Sequence, residues 1–352
     1  MQFDVQYPRT VPAQKPEGHV PAAPRYSVRW DHPVHTIISD YIGIKAADLS
    51  SEVQAAFFAN ARGVFDQVDG PDSFEMMRCV DEQGLTNAVV VAYWTDPLEH
   101  ARWNRSSSLV AWFKHPDRLT GPVGAWRETA VVPYDRHETV YSERYHAAGV
   151  ALTKGASFAS ITTNGYFGAA RDRLPISAID TLGSPFADTI PAAKSHRGLG
   201  QRLRVSVPVN TISLRSGQYW GNAVGEQLDD YVENMRPRLM RGMEHLMSHR
   251  EETGTLSLRI MTNLNEDGSE RRQSFVYAHF LSLAPLEHWA KSHATHLAIY
   301  KHAIAMNRLH KENRQFVSWH EMFVLPGAEF EYVNCEPRTG LLPFFEAIEI
   351  LD

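Results

Sequence analysis

From about residue 35 onward, blocks of β-branched and aromatic residues take turns with blocks of helical period. His35–Lys45 has the content of a strand. Ser51–Gln67 reads as a helix with Ser51 at its N-cap. Ser73–Trp94 predicts two strands around a turn at Asp81–Gly84, and Pro97–Phe113 a helix opened by its proline. Ala125–Val132 and Thr139–Tyr141 close the unit as a strand and its extension.

The same order returns further along. Val209–Leu214 predicts a strand and Tyr219–Met247 a long helix. Thr255–Asn263 and Ser274–Ser282 form a hairpin around Asn265–Gly268. Pro285–Leu309 is a helix and Phe316–Leu325 a strand. Each half therefore reads β-α-β-β-α-β, the order of a ferredoxin-like unit, and the fold class is α+β. Local echoes support a duplication: Pro97-Leu98-Glu99-His100 recurs as Pro285-Leu286-Glu287-His288, and Trp126-Arg127-Glu128 is answered by Trp319-His320-Glu321. The predicted division is a proline-rich extended arm over residues 1–36, a first half over 37–145, a connecting segment over 146–206, a second half over 207–335 and a C-terminal tail over 336–352.

With 352 residues, 43% of them hydrophobic, the chain can bury a sizeable core. A formal charge of −6 argues against nucleic acid or an anionic membrane as main partner. Apolar runs such as Ala88–Tyr93 are too short to cross a bilayer, and the first residues lack the pattern of a secretory leader. Two scattered cysteines, Cys79 and Cys335, make neither a disulfide framework nor a thiolate metal site, so a reducing cytoplasm is expected.

Where the two halves differ, chemistry is a candidate. Opposite Arg127 the second half carries His320, and opposite the serines Ser106–Ser108 it carries Ser292-His293-Ala294-Thr295-His296. Strand alternation puts Phe316, Ser318, His320, Met322 and Val324 on one face, where an imidazole among apolar neighbours needs a partner or a purpose. On the last helix, the apolar stripe Leu286, Trp289, His293, Leu297, Tyr300, Ile304 favours His293 over His296 as the buried member of the pair. Their i, i+3 spacing, with no glutamate between them, is not that of a zinc-binding HExxH helix, and His32-x-x-His35 is equally unsupported.

His293-Ala294-Thr295-His296-Leu297, Trp319-His320-Glu321 and Tyr332-Val333-Asn334-Cys335-Glu336-Pro337 resemble segments of the haem-containing aldoxime dehydratases. So do Gly165-Tyr166-Phe167-Gly168, Arg171 to Ser177, Leu214 to Gln218, and His137-Glu138-Thr139, in register from about residue 37 to the end. The resemblance implies a duplicated ferredoxin-like barrel with flanking helices, commonly a homodimer. It implies conversion of an aldoxime, R–CH=N–OH, to a nitrile and water on haem b, with the oxime nitrogen on ferrous iron and a distal histidine as general acid. By resemblance the second histidine of the His-x-Thr-His run is the axial ligand, which selects His296 against the helix stripe. The distal histidine falls on His320, a distal serine on Ser216, an essential arginine on Arg173 and a supporting glutamate on Glu138. Ala294 and Asn164 depart from residues common in the family, and the stretch from His296 to His320 is slightly longer.

Each assignment has a plainer counterpart. Ser216 can be a helix N-cap. Arg173 can pair with Asp172 or a haem propionate, and Glu138 can be scaffold, since it aligns with Glu331 in the repeat. Two other functions fit a haem protein of this build: a peroxidase or chlorite-dismutase-like enzyme on a related barrel, and a non-catalytic haem carrier or sensor. Tyr166, Phe167, Tyr219 and Trp220 would admit arylalkyl substrates.

Overall fold

The computed structural model describes residues 2–194 and 196–351. Among the described residues fourteen strands join in one sheet, and their pairs are antiparallel. At its centre lie eight strands in two mirrored sets. The first set runs Gly124–Pro133, Thr36–Ala46, Thr86–Trp94, Ser73–Val80; the second runs Thr255–Leu264, Glu270–Phe280, Ile212–Tyr219, Val317–Val324. The sets meet through Met77 opposite Asn263 and Arg78 opposite Thr262. Ala328–Val333, Arg202–Val207 and Ala347–Glu349 extend one flank. His137–Tyr141, Arg25–Trp30 and Ala156–Ile161 extend the other.

Alternation gives every strand two faces with different fates. One face turns inward, and the sheet curls around it, because residues from well-separated strands meet there. Tyr41 stacks on Tyr277 with centroids 3.8 Å apart. Arg259 grips Glu128 through two bonds of 2.9 Å. Arg215 reaches Glu75 at 2.7 Å, and Tyr93 donates to Glu321. This interior is both aromatic and charged, and its buried ions are paired and hydrogen-bonded, as burial requires.

The other face carries helices. In the first half, Ser51–Phe65, Pro97–Ser106 and Ser108–Lys114 lie on it, and Phe57, Phe65, Trp94, Trp103 and Phe113 fill the space between. In the second half, Glu226–Asp230, a π-helical turn at Tyr231–Met235 and Arg236–Ser248 are followed later by Leu283–Ser292 and Ala294–His310. That last helix, 17 residues long, has not one fully buried residue. It stands off the sheet, and the space beneath it is open.

Several predicted boundaries move, each for a local reason. Ser50, not Ser51, caps the first helix, accepting from the Val53 amide. The predicted Pro97–Phe113 helix breaks at Ser107, whose extended backbone lets its hydroxyl cap Val110. The strand expected at Val209–Leu214 runs Ile212–Tyr219, so the helix expected from Tyr219 starts at Glu226. The helix expected over Pro285–Leu309 is broken at His293, which is extended (φ −82°, ψ 136°) and caps the following segment.

Candidate active site

The space under the second-half helices is a cavity of about 1470 Å³. Ordinary small-molecule sites occupy roughly 300–1,000 Å³, so this one has room for a large planar group and a substrate together. Its sheet wall includes Leu214, Ser216, Ser318, His320 and Met322. Its helix wall includes Met243, Trp289, His296, Ile299 and Ala303.

On the sheet wall, His320 lies on the cavity face of Val317–Val324, as strand alternation predicts. Ser216 is its direct partner on one neighbouring strand and Val140 on the other. Ser216 therefore sits inside a strand and caps no helix; its hydroxyl has no hydrogen-bond partner among the described residues. Glu138, opposite Met322, reaches His320 Nε2 at 2.6 Å through Oε1. Its other oxygen accepts from Arg173 Nε at 2.6 Å. Arg173, the last residue of the short helix Ala169–Arg173, also donates to the Thr163 carbonyl at 3.0 Å, and its Nη2 stands 3.2 Å from His320 Nε2.

Burial works to raise the Glu138 pKa, but Arg173 and His320 outweigh it and hold the carboxyl at about 2. Glu138 is thus a carboxylate at neutral pH, and the His320 Nε2–H has an anionic acceptor. His320 Nδ1 is left without a partner among the described residues.

Arg173 does not pair with Asp172. Asp172 instead accepts from the Gln14 amide at 2.9 Å and the Tyr166 hydroxyl at 2.7 Å, while Arg171 holds Glu287 at 2.7 Å. The helix that presents Arg173 is thereby tied to the N-terminal segment and to the helix wall. Sequence reading did not find these ties, because their partners lie more than a hundred residues apart.

On the helix wall, His296 donates Nδ1–H to the Ala290 carbonyl at 2.6 Å, which leaves Nε2 a lone-pair donor. Burial lowers its pKa, against the pull of that carbonyl, and favours the neutral imidazole. Trp289 packs beside the ring at 4.8 Å. His293 does not line the cavity. Its Nδ1 meets Thr295 Oγ1 at 2.8 Å and caps the Thr295 amide, and its ring stacks on His245 at 3.6 Å. The helix stripe favoured His293 only because it assumed an unbroken helix.

A neutral imidazole with a free Nε2, facing a large and mostly apolar cavity, suits an axial ligand of haem. The wall carries both signs of charge, and Arg236, Arg271, Arg308 and Lys311, alongside Glu270 and Glu312, are its candidates to meet carboxylate substituents. Of the aromatic residues expected around a substrate, Tyr166, Phe167 and Trp220 line the cavity; Tyr219 does not, and stacks on His146 instead. The π-helical turn, which contributes Tyr231 and Met235 to the wall, had no signal in the sequence.

Residues 40–341 match the sequence pattern of the haem-containing dehydratases. The chain is 30% identical over 338 residues to an aliphatic aldoxime dehydratase of Pseudomonas chlororaphis, covering 95% of each. It is 30% identical over 339 residues to the phenylacetaldoxime dehydratase of Bacillus sp. strain OxB-1, again covering 95% of each. Among solved structures, an aldoxime dehydratase in complex with butyraldoxime superposes with a TM-score of 0.87 at 29% identity, covering 96% of this chain and 93% of that one.

Proposed function

The chain belongs to the haem-containing dehydratase family, and from that premise we propose that it removes water from aldoximes, R–CH=N–OH, to give nitriles. The observation that carries this reading is the pairing of two unlike histidines on one cavity. His296 keeps Nε2 free on the helix wall, and His320 is held by Glu138 and Arg173 on the sheet wall.

His296 would hold haem b through Nε2. Haem in its ferrous state would supply an electron-rich iron as a partner for the oxime nitrogen. The protein's own groups handle the protons. Hydroxide is a poor leaving group, so the oxime oxygen must be protonated as N–O breaks. Protonated His320 is the acid: Nε2–H stays on Glu138, and the Nδ1 proton goes to the oxygen, which leaves as water. The Ser216 hydroxyl, beside His320 and otherwise unpartnered, donates to that oxygen and aims it. Glu138 stabilises the charged imidazole, and Arg173 fixes the Glu138 carboxylate. His320 Nδ1 then accepts the aldehydic proton, which restores the acid and completes the C≡N bond.

The same reading takes the molecule as two duplicated ferredoxin-like halves. Support comes from a matched contact: Gly43 lies opposite Trp126 and Gly217 opposite Trp319, each glycine directly under an indole. The halves 37–145 and 207–335, joined by the 146–206 segment that carries Arg173, would form the barrel of a homodimer. The two buried, unlinked cysteines suit a cytoplasmic setting. Among the described residues no helix is long and apolar enough to cross a membrane.

The test is direct. Haem-loaded, dithionite-reduced protein is expected to convert butyraldoxime or phenylacetaldoxime to the nitrile, with far less turnover in the ferric state. No nitrile from an aliphatic or arylalkyl series would reject the proposal, and equal rates in both oxidation states would reject nitrogen ligation to ferrous iron.

A further inference from the structure

On the outer side of the helix wall, away from the cavity, three residues from two separate stretches converge. His245 comes from the helix Arg236–Ser248, Glu252 from the following short helix Arg250–Thr253, and His293 from the break before Ala294–His310. One ligand atom from each lies within 4.8 Å of the other two. We propose that His245, Glu252 and His293 form a binding site for a divalent transition metal of the zinc class, separate from the haem cavity.

The donor set fits. Two imidazoles and one carboxylate make a three-ligand zinc site with a fourth position for water. Hard-cation chemistry is disfavoured, because two of the three donors are nitrogens. The His249 ring borders the site, stacked on that of His245 at 4.2 Å.

Independent of this convergence, His245 Nε2 is shielded from solvent and has no hydrogen-bond partner among the described residues. An orphaned buried nitrogen costs free energy unless something satisfies it, and a metal ion would.

The proton count closes at His293. Here Nδ1 accepts from the Thr295 amide at 3.3 Å; with Nε2 on the metal the ring proton would move to Nδ1, which would give up that cap and donate to Thr295 Oγ1, 2.8 Å away. Metal-bound histidines commonly hold their other ring nitrogen in this way. Bonds of about 2.0–2.2 Å bring ligand atoms to roughly 3.3 Å from one another, so the stacked His245 and His293 rings must tilt and close in on the ion. The ion would then fasten the start of the helix that carries His296 to the helix Arg236–Ser248. Spacing along the chain could not suggest this, since the partners of His293 lie more than forty residues before it.

The experiment uses the haem-loaded full chain without a polyhistidine tag, stripped with EDTA and titrated with Zn²⁺ against a chromogenic chelator. One equivalent is expected to bind and to raise the thermal midpoint. Glu252→Gln, on an exposed side chain, and His245→Gln should each weaken binding at least about tenfold, as loss of even an outer partner does at known sites. Both variants should abolish the zinc-induced shift in midpoint. Absence of a tight equivalent in the wild type, or undiminished affinity in Glu252→Gln and His245→Gln, overturns the proposal.

Discussion

Glu138 holds two partners at once, and that makes it the residue on which the sheet wall turns. Its folded pKa of about 2 lies below the 4.5 of a free glutamate, so its contribution to stability is fully present above pH 4.5. That contribution is lost as the pH falls from about 4.5 to about 2, where the folded carboxyl takes up a proton. The gap in thermal midpoint between wild type and Glu138→Gln is therefore expected to be widest near neutrality and to shrink through that window. A gap independent of pH would contradict the ion pair. The two histidines should separate under substitution. His296→Ala is expected to lose haem, read as loss of the Soret band. His320→Ala should keep the band and lose about 10²–10⁴ in turnover, the range for a placed acid; near-wild-type nitrile formation by His320→Ala would refute the assignment. His320 was legible beforehand because a strand's alternation survives folding unchanged. The choice between His293 and His296 was not, because a helix cap reverses where one side chain points while the residue pattern stays periodic.

At the scale of elements, the strand Ile212–Tyr219 explains the largest misreading. Arg215, Ser216, Gly217 and Gln218 look like a loop leading into a helix, since strand prediction relies on apolar alternation. Here one face meets a charged interior, where Arg215 finds Glu75, and the other meets a cavity. From Arg215 to Gln218 neither face carries an apolar side chain, so the signal vanishes. Gly217 is nevertheless fixed by packing: a Cβ there would stand 2.4 Å from the Trp319 indole. Gly217→Ala is expected to destabilise by about 1–3 kcal/mol, the usual cost of overpacking, measured by denaturant unfolding. A neutral result would mean that the indole moves aside freely. Helix boundaries shifted for a related reason. Ser107 and His293 are caps inside stretches whose period is continuous, so periodicity runs straight through both breaks.

For the whole molecule, the order of elements was readable and the curling of the sheet was not. Strand content and turn residues announce two sets of four strands. The curl depends on Arg259 meeting Glu128 and on Arg215 meeting Glu75, pairs 131 and 140 residues apart. Charged residues at such separations read as surface in any local window. The contrast between the halves is clearest in what lies over the outer face: aromatic side chains over the first set of strands, open volume over the second. The helix Ala294–His310, with no residue fully buried, rests on the helices Arg236–Ser248 and Leu283–Ser292 and on the rim of that volume rather than on the sheet. Haem is therefore expected to steady this roof of the cavity more than the curled sheet or the first half. Limited proteolysis of the haem-free chain should cut first within residues 294–313, and haem should slow that cut far more than any in the first half. Supply of haem would then decide how long a newly made chain survives.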